Sequence, residues 1–435
     1  MFYSMEMNNH DNKQKIISNI YPITSLVLPD QTLFEMAYDA ENRKTNLIKW
    51  KDGKTEIASS FKLEENWIIT PYRPENSLLH QQIILFPKET QEYSDDDTLI
   101  GQIQSFIHRY VDVSETFELV ATYYVLLTWV YDTFNEIPYL RVRGDYGSGK
   151  TRFLLTVGSI CYKPIFASGA STVAPLFHIL DQVGGTLVLD EGDFRFSDEK
   201  ADIAKILNNG NAKGFPVLRC EKINQREFSP RAYTIYGPKI IASRNDYDDF
   251  ALESRFISED MGLSGVRDDI PITLPKSFQE EAQELRNKLL LWRFRNFARL
   301  RFPEAHVDQK IDKRISQVFA PLLSLIVDQD IRAQISRLAR DKNDEMRSDR
   351  GFQMEADVLS AIRTCLPEEV PTITAITQNF IKQSGLAYDR PITPKWIGSV
   401  IRKKLRLRTR KKNGVYVLGE NQKEKLKRLF RKYNL

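Results

Sequence analysis

A chain of 435 residues exceeds one small domain, and its 42% hydrophobic and 28% charged content is that of a globular protein with a real core, which excludes a disordered or low-complexity chain. The net charge of +4 conceals an asymmetry: residues 395–435 hold 15 Lys and Arg against Glu420 and Glu424, so a strongly basic tail is joined to an acidic body, the footprint of a polyanion-binding module. Cys161, Cys220 and Cys365 and the five histidines (His10, His80, His108, His178, His306) lack metal-ligand or redox spacing, which excludes a zinc module and points to reduced cysteines in a cytoplasmic protein.

Residues 1–19 are polar, with Asn8, Asn9, Asp11 and Asn12 in place of a basic and then apolar leader, so no signal peptide is expected. Short strands are predicted at Ser25–Leu28, Asn46–Trp50, Trp67–Thr70 and Gln82–Phe86, broken by Pro22, Pro29, Pro71, Pro74 and Pro87. They make residues 1–97 a β-rich N-terminal domain, closed by the acidic run Asp95, Asp96, Asp97. Residues 98–138 read as a helical lead-in, with helices at Leu99–Val111 and Ser114–Phe134. The apolar stretch Leu119–Tyr131 holds Thr122 and Thr128 and falls short of the roughly 20 residues a membrane span needs, so a buried helix is expected.

From 139 to 275 the pattern alternates strand, Gly-rich loop, helix and strand, as in a parallel α/β sheet. Tyr139–Arg143 is a strand, and the segment from Gly144 to Thr151 (GDYGSGKT) fits Gly-x4-Gly-Lys-[Ser/Thr] at every position. A helix then opens at Phe153 and Leu154. Gly144, Gly147, Ser148 and Gly149 let successive backbone N–H groups curl around phosphate, with the helix N-terminus adding positive potential. Lys150 reaches the β- and γ-phosphates and the Thr151 hydroxyl ligates Mg²⁺, so ATP and Mg²⁺ are the expected cofactors.

Thr186–Leu189 is a second apolar strand, and it delivers Asp190 and Glu191 at its C-terminal end, 39 residues beyond Thr151. Asp190 is assigned to the Mg²⁺ shell and Glu191 to the water that attacks the γ-phosphate. A third strand, Pro238–Ser243, ends near Asn245, a polar residue placed to orient that water. Arg255, just ahead of the apolar pair Phe256 and Ile257, is suited to act as an arginine finger on a neighbour's γ-phosphate.

This order of a Walker A loop, a Walker B Asp-Glu pair, a sensor Asn and a finger Arg resembles AAA+ ATPases. Ser168–Val173 is similar to a segment of MCM helicases. The stretch Phe215–Ile223, turning at Asn224–Glu227 and returning through Tyr233–Tyr236, is similar to the β-hairpin that lines the pore of MCM-like and viral superfamily-III helicases. The resemblance implies that Lys222 and Arg226 near its tip grip DNA. Residues 276–363 then resemble a helical lid, with Arg314 as the sensor-2 arginine. The closest likeness is to MCM-like helicases of mobile genetic elements, including the staphylococcal cassette chromosome type. It implies an ATP-dependent DNA helicase or translocase in DNA replication that works as a homo-oligomer, a hexameric ring. A primase or other replication partner would supply priming, since the first 95 residues hold no primase-like acidic cluster. The alternatives are an initiator or loader using ATP as an assembly switch, and a DNA-binding regulatory factor with a vestigial ATPase.

Residues 364–435 read as a basic winged helix. Ile373–Gln383 is a helix, Thr393-Pro394 caps a second one, and Leu405–Arg410 and Val415–Leu418 flank the hairpin signal Asn413-Gly414. Arg402, Lys403, Arg406, Arg408, Arg410, Lys411 and Lys412 are assigned to DNA phosphates, single- or double-stranded. Leu426, Leu429, Phe430 and Tyr433 mark one apolar face of a final helix.

Overall fold

The structure, a computed structural model, describes residues 19–64, 67–168, 173–190, 198–222, 228–247, 249–262, 267–300, 311–351, 354–366, 371–384, 391–412, 414–419, 422–433 and 435. It divides into two compact units, Met1–Ser336 and Arg337–Leu435.

The first unit opens with seven strands: β1 (Asn19–Ile23), β2 (Ser25–Val27), β3 (Leu33–Asp39), β4 (Lys44–Lys51), β5 (Lys54–Ala58), β6 (Phe61–Glu64) and β7 (Trp67–Pro71). Strands β2-β3-β4-β5 form an antiparallel meander, and β1-β7-β6 a second sheet in which β1 runs parallel to β7. Three of the four strands predicted here are present. The fourth, Gln82–Phe86, is reduced to one bridge between Ile84 and Ile165. Two features account for this: a helical turn, α1 (Ser77–His80), runs up to it, and Gln82 takes a φ of 54° that interrupts an extended path.

Asp95 caps α2 (Asp96–Tyr110) by accepting from the Thr98 N–H at 2.8 Å, and Ser114 caps α3 (Glu115–Trp129) from the Phe117 N–H at 3.3 Å. Every residue of α3 from Phe117 to Trp129 is buried, which explains its apolar composition without a membrane. Among the described residues no helix is long and apolar enough to cross one.

Next come β8 (Tyr139–Arg143), α4 (Lys150–Ser159), β9 (Ile165–Ser168), α5 (Val173–Val183), β10 (Leu187–Asp190) and α6 (Asp198–Asn209). A hairpin follows, β11 (Val217–Lys222) with β12 (Phe228–Tyr233), and then β13 (Lys239–Ser243), α7 (Phe250–Glu253) and β14 (Phe256–Asp260). The hairpin's return strand is β12, earlier than the predicted Tyr233–Tyr236. Pro230 is tolerated within it because a two-stranded ribbon leaves each strand one unpaired edge.

Five strands form one parallel sheet in the order β14-β8-β13-β10-β9, an arrangement compatible with a phosphate-loop nucleoside-triphosphatase fold. β8, β13 and β10 are neighbours, so their C-terminal ends share one stretch of sheet edge. A single core joins Phe34, Met36, Leu47 and Ile69 of the first strands to Tyr139, Leu187, Ile241 and Phe256 of this sheet. The unit closes with α8 (Ser277–Asn296) and α9 (Lys313–Leu323), and α10 (Gln329–Gly351) carries the boundary between the units.

The second unit holds α11 (Met354–Cys365), α12 (Ile373–Ser384), α13 (Pro394–Lys403), the hairpin β15 (Thr409–Lys412) and β16 (Val415–Leu418), and α14 (Lys423–Lys432). Its core gathers Leu359, Ile362, Ile376, Phe380, Ile397, Ile401 and Leu426. Thr393 caps α13, with proline at the first helical position. Lys412 pairs with Val415 across the turn, where Gly414 adopts a φ of 84°.

Candidate nucleotide site

The loop between β8 and α4 curls because its glycines adopt backbone angles that other residues avoid. Gly144 has a φ of 150°, and a Cβ there would lie 2.7 Å from the Met261 carbonyl and 2.7 Å from Ser148 Oγ. Gly149 is left-handed, with a φ of 91°, and forms the N-cap of α4. The first N–H groups of α4 have no partner within the helix and face the loop. Lys150 Nζ folds back into the same concavity, donating to the Gly144 carbonyl at 2.6 Å and the Asp145 carbonyl at 2.7 Å.

Thr151 Oγ1 donates to Asp190 Oδ2 at 2.8 Å. Two residues 39 apart in sequence are thus brought into contact beside the lysine. The donors there are oxygen atoms, the set that suits a hard divalent cation, and the helix N-terminus and Lys150 suit the phosphates it would accompany. Asn245 follows β13 at this same edge, with its own carbonyl accepting from Ser243 Oγ at 3.1 Å. Glu191 lies outside the described residues.

An ion network missing from the sequence reading fixes this edge. Arg141, in the middle of β8, is 0% exposed, and it donates to Glu253 Oε2 at 2.8 Å, to Asp246 Oδ1 at 3.1 Å and to Ser258 Oγ at 3.0 Å. Arg143 binds Asp260 at 2.8 Å and also meets Asp246. Asp246 adjoins Asn245, so two arginines of β8 tether the loop that carries it. The signal was present in Tyr139-Leu-Arg-Val-Arg143: two cations in a buried parallel strand require partners.

Arg255 sits at the opposite edge of the sheet. Its carbonyl accepts from the N–H of Tyr139, the first residue of β8, whereas the phosphate loop follows the last. The intervening strand of five residues spans about 16 Å. The Arg255 guanidinium donates to Asn211 Oδ1 at 2.8 Å, Asn208 Oδ1 at 2.9 Å and the Ala251 carbonyl at 2.7 Å. Arg314, near the start of α9, donates to that same carbonyl at 2.6 Å. Burial, and then the neighbouring Arg314 charge, lower the Arg255 pKa. Both arginines line a cleft of about 680 Å³ with Asn208, Asn211 and Phe215. The chain therefore groups Lys150, Thr151, Asp190 and Asn245 at one edge and Arg255 with Arg314 at the other.

The remaining candidates are basic. Lys222 forms the last described pair of the β11–β12 hairpin, with Phe228, and Arg226 lies outside the described residues. In the second unit Arg402, Lys403, Arg406, Arg408, Arg410, Lys411 and Lys412 are all exposed. Arg402 donates to Thr409 Oγ1 at 3.3 Å, tying the end of α13 to β15.

No family model matches the chain, and no curated protein matches it. Among solved structures, the NrS-1 C-terminal region is 11% identical with a TM-score of 0.37, covering 88% of this chain and 96% of that one. Drosophila ORC bound to DNA is 11% identical with a TM-score of 0.22, covering 80% and 96%. A JCV helicase bound to a small molecule is 13% identical with a TM-score of 0.24, covering 63% and 66%. Likenesses this distant carry nothing about function, which rests on this chain's own residues.

Proposed function

We propose that the chain is an AAA+ ATPase that drives movement along DNA, as a helicase or translocase of the MCM-like kind carried by mobile genetic elements. The observation that carries this reading is the Thr151–Asp190 contact beside Lys150, set on the opposite sheet edge from Arg255 and Arg314. A site so divided is completed only by a second subunit, in a head-to-tail ring such as a hexamer.

Within that ring Lys150 releases its two loop carbonyls and donates to the β- and γ-phosphates of ATP, while the α4 N-terminus meets them end-on. Thr151 and Asp190 would hold a magnesium ion, which would supply positive charge to the phosphate oxygens. Glu191 polarises the attacking water, and Asn245 positions it. Arg255 and Arg314 of the next subunit meet the charge that develops on the γ-phosphate. The β11–β12 hairpin with Lys222 and Arg226 would be the element that hydrolysis moves along DNA. The α12, α13 and β15–β16 elements would act as a winged helix, with Arg402, Lys403, Arg406, Arg408, Arg410, Lys411 and Lys412 on phosphates.

The test is ATP turnover with and without single- and double-stranded DNA, followed by unwinding of a 3′-tailed duplex. A motor gives sustained turnover that rises at least about tenfold with DNA, the gain falling as salt weakens phosphate contacts. A single slow turnover, unchanged by DNA, would instead identify an initiator or loader that uses ATP as a switch.

A further inference from the structure

The apolar face that the sequence predicts for the final helix is the face of α14 that packs. Leu426 is buried in the core of the second unit, with Leu429, Phe430 and Tyr433 packed against it. The rest of the helix is cationic. Lys423, Lys425, Lys427, Arg428, Arg431 and Lys432 are all exposed, and Glu424 is the lone carboxylate among them. At 100° per residue the four apolar side chains fill about one third of the circumference, and the six cations spread over the remainder.

This surface is not arranged for stability. Lys423 and Lys427, Lys427 and Arg431, and Arg428 and Lys432 are like-charge neighbours at i,i+4, each disfavouring the helix by about 0.2–0.5 kcal/mol. The single ion pair on α14 among the described residues is Lys427–Glu424, at 3.2 Å and with both side chains mostly exposed. Lys425 Nζ donates to the Arg406 carbonyl, which joins α14 to the segment of Arg406 and Arg408 already assigned to phosphates. The cationic surface thus continues from α13 through 406–408 onto the Lys425 side of α14, while Lys423, Lys427 and Arg431 extend positive charge along the helix's other flank.

We propose that α14 is a second nucleic-acid contact, in which Lys423, Lys427 and Arg431 meet successive phosphates of a DNA duplex. The inference rests on the DNA-binding reading of the second unit. These three residues form one row at steps of about 6 Å along the helix axis. A basic amphipathic helix also suits an anionic membrane, but membrane binding requires a free apolar face. Here that face is committed to the protein core, which leaves charge alone and favours a regular array of phosphates.

The experiment compares the full chain with Lys423→Gln/Lys427→Gln/Arg431→Gln and, separately, Arg410→Gln/Lys411→Gln/Lys412→Gln, measuring affinity for a 20-base-pair duplex against salt. Removing three phosphate contacts lowers the slope of log affinity on log salt by about 2.7. Between about 50 and 200 mM salt the α14 variant then loses about 40-fold less affinity than the parent. Its thermal midpoint stays equal or rises, since like-charge neighbours are removed. An unchanged slope in the α14 variant with a reduced one in the hairpin variant overturns this inference alone. A parent chain that binds no duplex overturns the DNA reading as well. Loss of binding to phosphatidylserine vesicles, with DNA affinity intact, would assign the helix to a membrane.

Discussion

Arg255→Ala lowers the maximal rate of ATP turnover about a thousandfold, the low end of the effect of an arginine finger, while ATP binding by the same subunit is retained. The asymmetry follows from position. Arg255 precedes β14 at the edge of the sheet remote from Lys150, so it has no access to its own subunit's phosphates. Mixing makes the result specific. Arg255→Ala supplies an intact phosphate loop and Lys150→Ala an intact finger, so a randomly mixed head-to-tail ring has about one interface in four complete. An equimolar mixture of the two inactive proteins is expected to recover about a quarter of the parental rate. No recovery, with both variants still assembled, would mean that Arg255 acts within its own subunit or holds only Asn208 and Asn211.

Glu35→Leu destabilises the first unit by about 3–5 kcal/mol, the cost of removing one partner from a buried ionic cluster. Glu35 lies on β3 and is 2% exposed. It accepts from Arg293 Nε of α8 at 2.8 Å and from the Tyr162 hydroxyl at 2.8 Å, with Lys163 Nζ at 3.7 Å. Arg293 keeps a second partner in Asp132, at 2.7 Å. Lys163 keeps only uncharged ones, and burial already draws its pKa down to about 8 against the opposing pull of Glu35. Losing the carboxylate leaves two buried cations facing each other. Denaturant titration checks this, and an unchanged midpoint would mean that the first strands are not secured to the nucleotide sheet through this cluster.

The loop and strand end that form the candidate nucleotide edge were legible because their information is local. Gly144 to Thr151 dictates a loop and a helix start within eight residues, and the apolar run before Asp190 dictates a strand that ends there. What stayed hidden depends on pairing across the chain. β3 is buried along Leu33–Tyr38, so it lacks the alternation that reveals a half-exposed strand, and Glu35 in its middle argued against burial. Arg141 looked like one more charge until Glu253 and Asp246 were placed beside it. Arg255 and Arg314 were assigned separate roles from sequence. Their convergence on the Ala251 carbonyl follows from where α9 sits against α7, which no spacing of residues encodes. The charge of α14 was legible in the basic tail as a whole, but not which cations share a face, because its apolar positions gave the stronger periodic signal.

Lys150 and its neighbours are proposed to form a working ATPase coupled to DNA. The most direct test of this proposal is the steady-state ATPase rate of the parent chain and of Lys150→Ala, each with and without DNA at low salt. A rate stimulated by DNA in the parent and reduced about a hundredfold or more in the variant is the predicted result. Turnover that survives the loss of Lys150, or that is rapid in the parent but indifferent to DNA, would contradict it.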